Sequence, residues 1–206
     1  MNRNKVKNIT IRLLKFYVGL ALIQLAVAAY LQIGIGSDSF TVFLQGVSKL
    51  FQLNVGLTNG LITFVLLIIV YIMDKKQFQI GMVLSVATAG LLLNAMTWFL
   101  NVILPANLPM WILCAEFAFA CVLVAIGFPL MKSAELGVAP NDALYLAISN
   151  RTGKSYGMVR VIVDAIFLVV GFFLGGVVGV GTVVCVIALG PMVQFVMNHM
   201  IKQKEG

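Results

Sequence analysis

Six apolar runs constrain this chain more than any other feature. They cover approximately residues 13–35, 56–73, 79–104, 110–131, 157–174 and 177–198. Each is close to the roughly 20 residues a helix needs to cross a hydrocarbon core. Backbone polar groups inside a bilayer must be satisfied within the chain, which selects helices for such runs. Pro105 and Pro109 mark the turn between the third and fourth runs, and the glycines from Gly175 to Gly181 mark the turn between the fifth and sixth. Residues 36–55 and 132–156 are not clean spans; each reads as one short helix. Only 10% of the 206 residues are charged, against about 25% in a soluble domain. The reading is a single all-α membrane domain lying in the lipid bilayer, with little sequence left for a soluble one.

Several function classes fall away on composition. The net charge of +7 could suggest nucleic acid, but the basic residues are scattered at the ends of apolar runs, where they act as topology signals. Cys114, Cys121 and Cys185 lie inside apolar runs without metal-binding spacing and read as packing residues. His199 is the sole histidine. No nucleotide-binding motif, paired carboxylates or nucleophile–base set is visible, so neither a cofactor nor an enzymatic role is expected. Basic residues, an apolar run and Ala26-Val27-Ala28 resemble a signal peptide, but the run continues to Ile35, and the expectation is an uncleaved first helix.

Lys and Arg set the orientation. Arg3, Lys5, Lys7, Arg12, Lys15, Lys75, Lys76, Lys132, Arg151, Lys154, Arg160, Lys202 and Lys204 all fall on one side if the N-terminus is cytoplasmic, leaving Lys49 as the exception among 14. Both termini are then cytoplasmic, and Pro105 to Pro109 lies outside.

The chain also repeats itself. Gly36-Ser37-Asp38-Ser39-Phe40-Thr41 aligns with Gly137-Val138-Ala139-Pro140-Asn141-Asp142 at a separation of 101 residues. Ser48 then meets Ser149 and Gly56 meets Gly157. At a separation of 100, Gly81 meets Gly181 and Gly90 meets Gly190. Each unit holds three spans and a short helix, the first over about 11–104 and the second over about 110–201. Three is odd, so the units insert in opposite orientations, as in many secondary transporters.

The segment Glu135-Leu136-Gly137 to Asp142-Ala143-Leu144, the Gly179 to Thr182 run and Gly190-Pro191 resemble the YczE/YyaS/YitT family of bacterial membrane proteins. The resemblance covers nearly the whole chain and is sharpest from Gly137 to Pro191. It implies placement in the bacterial inner membrane and this fold, and no firm substrate.

Candidate site residues gather at the two broken turns and the helix after the second. Gly36 and Gly137 permit unusual backbone angles, Pro140 suits a first helical turn, and Asn141 or Asp142 can cap it. With Ser37, Asp38, Ser39 and Thr41, they read as the starts of half-helices whose N–H groups face a shared cavity, a geometry suited to an anionic or oriented polar group. The competing reading is a pair of ordinary interfacial helices.

On the fifth span, Gly157, Arg160, Asp164, Gly171 and Gly175 share one arc at about 100° per residue. Arg160 and Asp164 can pair at i, i+4, as a gate, a coupling carboxylate or a structural pair; alternatively Arg160 reaches the cytoplasmic interface. Asn59 and Thr63 occupy the matching repeat positions. Gly56/Gly60 and Gly171/Gly175 read as close-packing sites, Gln24 and Gln194 as inter-helix hydrogen-bonding groups, and Glu116 as an acid that reaches the outer interface or, alternatively, serves coupling.

The function expected is transport of a small polar solute, ion-coupled or not. The alternatives are a substrate-binding subunit or a non-transporting accessory of a membrane complex. A homodimer stays open.

Overall fold

The computed structural model describes residues 3–34, 36–105 and 108–205, with the side chains of 3–7 and 201–205 left out. Asn107, in the expected outer turn, lies outside the described residues. Eight α-helices follow in order: α1 (Arg3–Ile33), α2 (Ser39–Phe51), α3 (Val55–Met73), α4 (Ile80–Ile103), α5 (Met110–Ser133), α6 (Pro140–Thr152), α7 (Tyr156–Phe173) and α8 (Val180–Glu205), with a short 3-10 turn at Lys75–Gln77. No strand occurs among the described residues. Six helices are long and apolar enough to cross a membrane: Asn8–Ile33, Val55–Met73, Ile80–Ile103, Met110–Ser133, Tyr156–Phe173 and Val180–Met200. They fall where the apolar runs lie. α2 and α6 have 13 residues each, about 20 Å at 1.5 Å per residue, too short to cross.

Local chemistry sets the ends of the short helices. Asp38 caps α2, its Oδ1 accepting from the Thr41 N–H at 3.2 Å and its Oδ2 from the Thr41 hydroxyl at 2.5 Å. Pro140 opens α6, whose N-cap is Ala139 with no side-chain cap bond. The expectation that Asn141 or Asp142 caps α6 is therefore corrected. Pro140 fixes the first turn instead and frees both side chains for other contacts. Both short helices stop at a left-handed residue, Gln52 and Gly153. The Ser48 hydroxyl donates to the Leu53 carbonyl and the Ser149 hydroxyl to that of Lys154. Asn54 then caps α3 and Ser155 caps α7.

The most extensive helix pair is α1 with α5. Its crossing is backbone on backbone: a Cβ on Gly19 would lie 2.6 Å from the Gly127 carbonyl oxygen, and one on Gly127 would lie 2.9 Å from that of Gly19. α4 packs on α1 and α3, and α8 packs on α5 and α7. The α3–α4 pair closes at Gly56 and Gly90, and the α7–α8 pair at Gly157 and Gly190. The short helices cross over: α2 packs on α7, where Gly46 meets Gly171, and α6 packs on α3. Their far ends are tied to the same neighbours. Lys49 Nζ donates to the Gly175 carbonyl at 2.7 Å, and Arg151 donates to that of Met73.

Gly56 and Gly171 are close-packing positions, as expected. Gly60 is not, because a Cβ there would meet nothing within 4 Å. Gly175 lies beyond α7 with φ +87°, so it turns the chain rather than seating a helix. Cys121 and Cys185 are buried, their sulfurs 3.8 Å apart, and the Tyr30 hydroxyl donates to Cys121 at 3.3 Å. The packing reading holds for these two thiols and fails for Cys114, which is exposed.

The bends before the short helices require glycine. Gly36 has φ +124° and Gly137 φ +104°. A Cβ on Gly36 would lie 2.7 Å from Thr182 Oγ1, and one on Gly137 would lie 2.9 Å from the Gln79 Cβ. Left-handed backbone at a residue with a side chain costs about 1–3 kcal/mol. Gly137→Ala is expected to lower the melting temperature of the purified protein, and an unchanged melt would show that the bend relaxes freely.

Candidate functional site

Three charged side chains, Arg160, Asp142 and Asp164, converge where the short helices begin. Arg160 lies four residues after Tyr156 on α7, so both face the same way, and Asp164 lies one turn further on. Arg160 Nε is 3.5 Å from Asp164 Oδ2, and its Nη1 is 3.7 Å from Asp142 Oδ1. The expected i, i+4 pair is present, and Asp142 of α6 joins it from outside the helix. Arg160 is 6% exposed, so its side chain is buried among the helices with these partners.

Two tyrosines frame the cluster. Arg160 Nη1 donates to the Tyr156 hydroxyl at 2.9 Å, and the Tyr145 hydroxyl donates to Asp164 Oδ1 at 2.7 Å. The guanidinium carbon lies 5.3 Å from the Tyr145 ring centre and 6.0 Å from that of Tyr156, within the range of cation–π attraction. Ser39, the first residue of α2, is a further hydrogen-bond neighbour of Asp164. The cluster thus joins α2, α6 and α7. The guanidinium meets its two carboxylates as ion pairs at long range, and its hydrogen bond goes to a phenol.

Beside it lies a cavity of about 50 Å³, room for roughly three to five waters at about 10–15 Å³ each on this measure. Asp38 and Thr41 line it from the start of α2, Pro140, Asn141 and Asp142 from the start of α6, Asn59 and Thr63 from α3, and Arg160 from α7. Eight of the thirteen expected site residues therefore share one wall.

The other five stand off it. Gly36 and Ser37 pack against the start of α8, the Ser37 N–H donating to Thr182 Oγ1 at 3.2 Å. Gly137 packs against the start of α4, where the Gly81 N–H donates to the Leu136 carbonyl at 2.7 Å. Ser39 and Asp164 are buried behind Arg160. Sequence reasoning missed Tyr145 and Tyr156, as well as Ser85 and the wall role of Gln24. Gln194 does bridge helices, accepting from the Gly157 N–H at 3.3 Å. Gln24 does not: its Oε1 is buried without a partner. Glu116 lines a separate pocket with Gln32 and Asn101. Among the described residues no group of three or more His, Cys, Asp or Glu is placed to hold a metal ion.

Six apolar spanning helices around a buried ionic cluster define a polytopic α-helical membrane protein. A model for a family of unknown function (DUF6198) matches residues 10–198. An uncharacterized protein of Haemophilus influenzae is 30% identical over 168 residues, covering 80% of this chain and 73% of its own. Two Bacillus subtilis proteins are also similar. YyaS, an uncharacterized protein, is 28% identical over 192 residues, 90% of this chain and 92% of its own. YczE, an uncharacterized membrane protein, is 24% identical over 188 residues, 91% and 86% respectively. No solved structure matches significantly. The chain belongs to this family, which is the YczE/YyaS family expected from the sequence.

Proposed function

We propose that this protein is a transporter, not an enzyme, that carries a small polar solute across a bacterial cytoplasmic membrane, coupled to an ion. The observation that carries the reading is that both short helices begin at one cavity. Gln24 on that wall lies past the middle of the Asn8–Ile33 span, which supports a site near the membrane midplane reached by re-entrant half-helices. In secondary transporters such helix ends meet the solute at the interface of two inverted repeats.

The packing supports two repeats, α1–α4 and α5–α8. Exchanging the halves turns α2 on α7 into α6 on α3, α1 on α4 into α5 on α8, and α3 on α4 into α7 on α8, and each of these contacts occurs. The Gly36 bend meets Gly179 and Thr182, while the Gly137 bend meets Gln79 and Met82; these are equivalent positions 100 residues apart. Positive residues at one set of helix ends support cytoplasmic termini.

Cysteine accessibility tests both claims. In a background with Cys114, Cys121 and Cys185 replaced, Asn107→Cys is expected to react with a membrane-impermeant maleimide in intact cells. Thr63→Cys, on the cavity wall, is expected to react from either side of oriented vesicles as the protein alternates. Labelling of Asn107→Cys only after permeabilisation overturns the topology. Labelling of Thr63→Cys from one side at most favours a non-transporting accessory protein.

A further inference from the structure

The central cavity has an excess of acid that its own arginine does not balance. Asp38 and Asp142 lie on the wall, Asp164 stands behind it, and among the described residues Arg160 is the one basic side chain lining it. The helix N-termini would by themselves attract an anion. Both already hold a carboxylate of the protein: Asp38 caps α2, and Asp142 sits in the first turn of α6. An incoming anion would meet those carboxylates before it met the N–H groups.

A second observation points the same way. Gln24 lines the cavity, is 6% exposed, and leaves Oε1 without a partner. A buried acceptor in that state is costly and is satisfied by a donor. The unpaired Arg160 Nε has a carboxylate oxygen 3.5 Å away, whereas no donor among the described residues serves the Gln24 oxygen. Asp142 is weakly engaged too, with the Tyr156 hydroxyl at 3.5 Å and Arg160 at 3.7 Å. The cavity therefore offers acceptors and negative charge, and it has space for only a few non-hydrogen atoms.

We propose that this cavity binds a small organic cation bearing N–H groups, about the size of guanidinium or ethylammonium. Asp38 and Asp142 supply the counter-charge, and Gln24 accepts one hydrogen bond. The apolar part of the wall, including Leu20 and Phe40, suits a weakly hydrated cation better than a strongly hydrated metal ion. That the cation is the transported solute rests on the transport reading; that it binds does not.

The test uses the purified full chain in detergent, with binding followed by calorimetry and thermal melting. Guanidinium and ethylammonium at millimolar concentrations are compared with urea, a near-isosteric neutral molecule, and with acetate, at matched ionic strength. The cations are expected to bind saturably and raise the melting temperature, while urea and acetate do neither. Asp142→Asn is expected to weaken cation binding about tenfold or more, as loss of a charged hydrogen-bond partner does. Asp38→Asn removes a helix cap as well as a charge; if it does not fold, Gln24→Leu supplies the independent readout, with a severalfold loss.

Saturable binding of acetate or urea as tight as that of guanidinium overturns the proposal. So does the lack of a saturable response to either cation, or affinity unchanged in both Asp142→Asn and Gln24→Leu. Uptake of labelled guanidinium into proteoliposomes separates the two claims. Binding without uptake upholds the site and removes the transport reading. Uptake of a neutral or anionic solute, with no cation binding, does the reverse.

Discussion

Arg160→Gln is expected to destabilise the purified protein by about 3–5 kcal/mol, the usual consequence of removing one partner of a buried ion pair. Arg160 faces Asp142 and Asp164 at once, so its loss strands two carboxylates, each about 3% exposed. Asp164→Asn has a smaller effect, because Arg160 keeps Asp142 and its hydrogen bond to the Tyr156 hydroxyl. The sequence alone pairs Arg160 with Asp164, and Asp142 is the second partner that lessens the effect of losing Asp164. The triple variant Arg160→Gln/Asp142→Asn/Asp164→Asn is expected to recover most of the loss, since a neutral polar cluster avoids buried unpaired charge. Thermal melts in detergent decide it. A melt for Arg160→Gln equal to that of wild type would show that the cluster carries no structural load. If Asp164→Asn folds normally but loses the pH dependence of uptake, the carboxylate serves coupling.

The second large effect lies at the α1–α5 crossing. Gly19→Ala places a methyl group 2.6 Å from the Gly127 carbonyl oxygen and 2.7 Å from the Met131 nitrogen. Both neighbours are backbone, so no side chain can turn aside, and the helices must separate along the most extensive contact in the molecule. Overpacking costs typically about 1–3 kcal/mol, and a backbone-on-backbone clash belongs at or above the upper end. Gly60→Ala is the control. Its added Cβ meets nothing within 4 Å, and alanine is the better helix former by about 0.8–1 kcal/mol. Size-exclusion profiles from solubilised membranes are expected to show a monodisperse peak for Gly60→Ala and a strongly reduced or aggregated one for Gly19→Ala. Equal profiles would mean that the crossing can open at little cost.

The spans were legible because length and apolarity are one-dimensional properties: the six apolar stretches long enough to cross a membrane lie close to the six runs, although α1 and α8 extend further at their polar ends. The short helices were legible through Gly36 and Gly137, whose bends only glycine accommodates well. Pairing across helices was not. Asp142 reaches Arg160 from an element whose placement depends on how α6 packs against α3, and no spacing along the chain encodes that. Part of the signal was nonetheless present. Tyr145 follows Asp142 by three residues, and Tyr156 precedes Arg160 by four, so each tyrosine shares a helical face with a charge. Aromatic residues in apolar helices are commonly packing groups, which hid their role as hydrogen-bond partners. Gly60 shows the opposite error: a spacing of four between small residues does not by itself make a tight contact, because a Cβ at Gly60 would meet nothing within 4 Å although α4 packs on the same helix.

The crossed docking of α2 onto α7 bears on how the chain is made. A nascent chain delivers α2 early, but the helix that receives Gly46 at Gly171 emerges more than a hundred residues later. At about 5–20 residues per second, that is a delay of roughly 6–25 s, during which a helix too short to span has only its smaller contact with α3 to rest on. Its hydrogen-bond neighbour Asp164 emerges only just before Gly171, and the α8 residues that hold its preceding bend come later still. The first four helices thus complete their inner wall only after the last four have been inserted, so membrane insertion of this protein ends with a docking step rather than with the release of the chain.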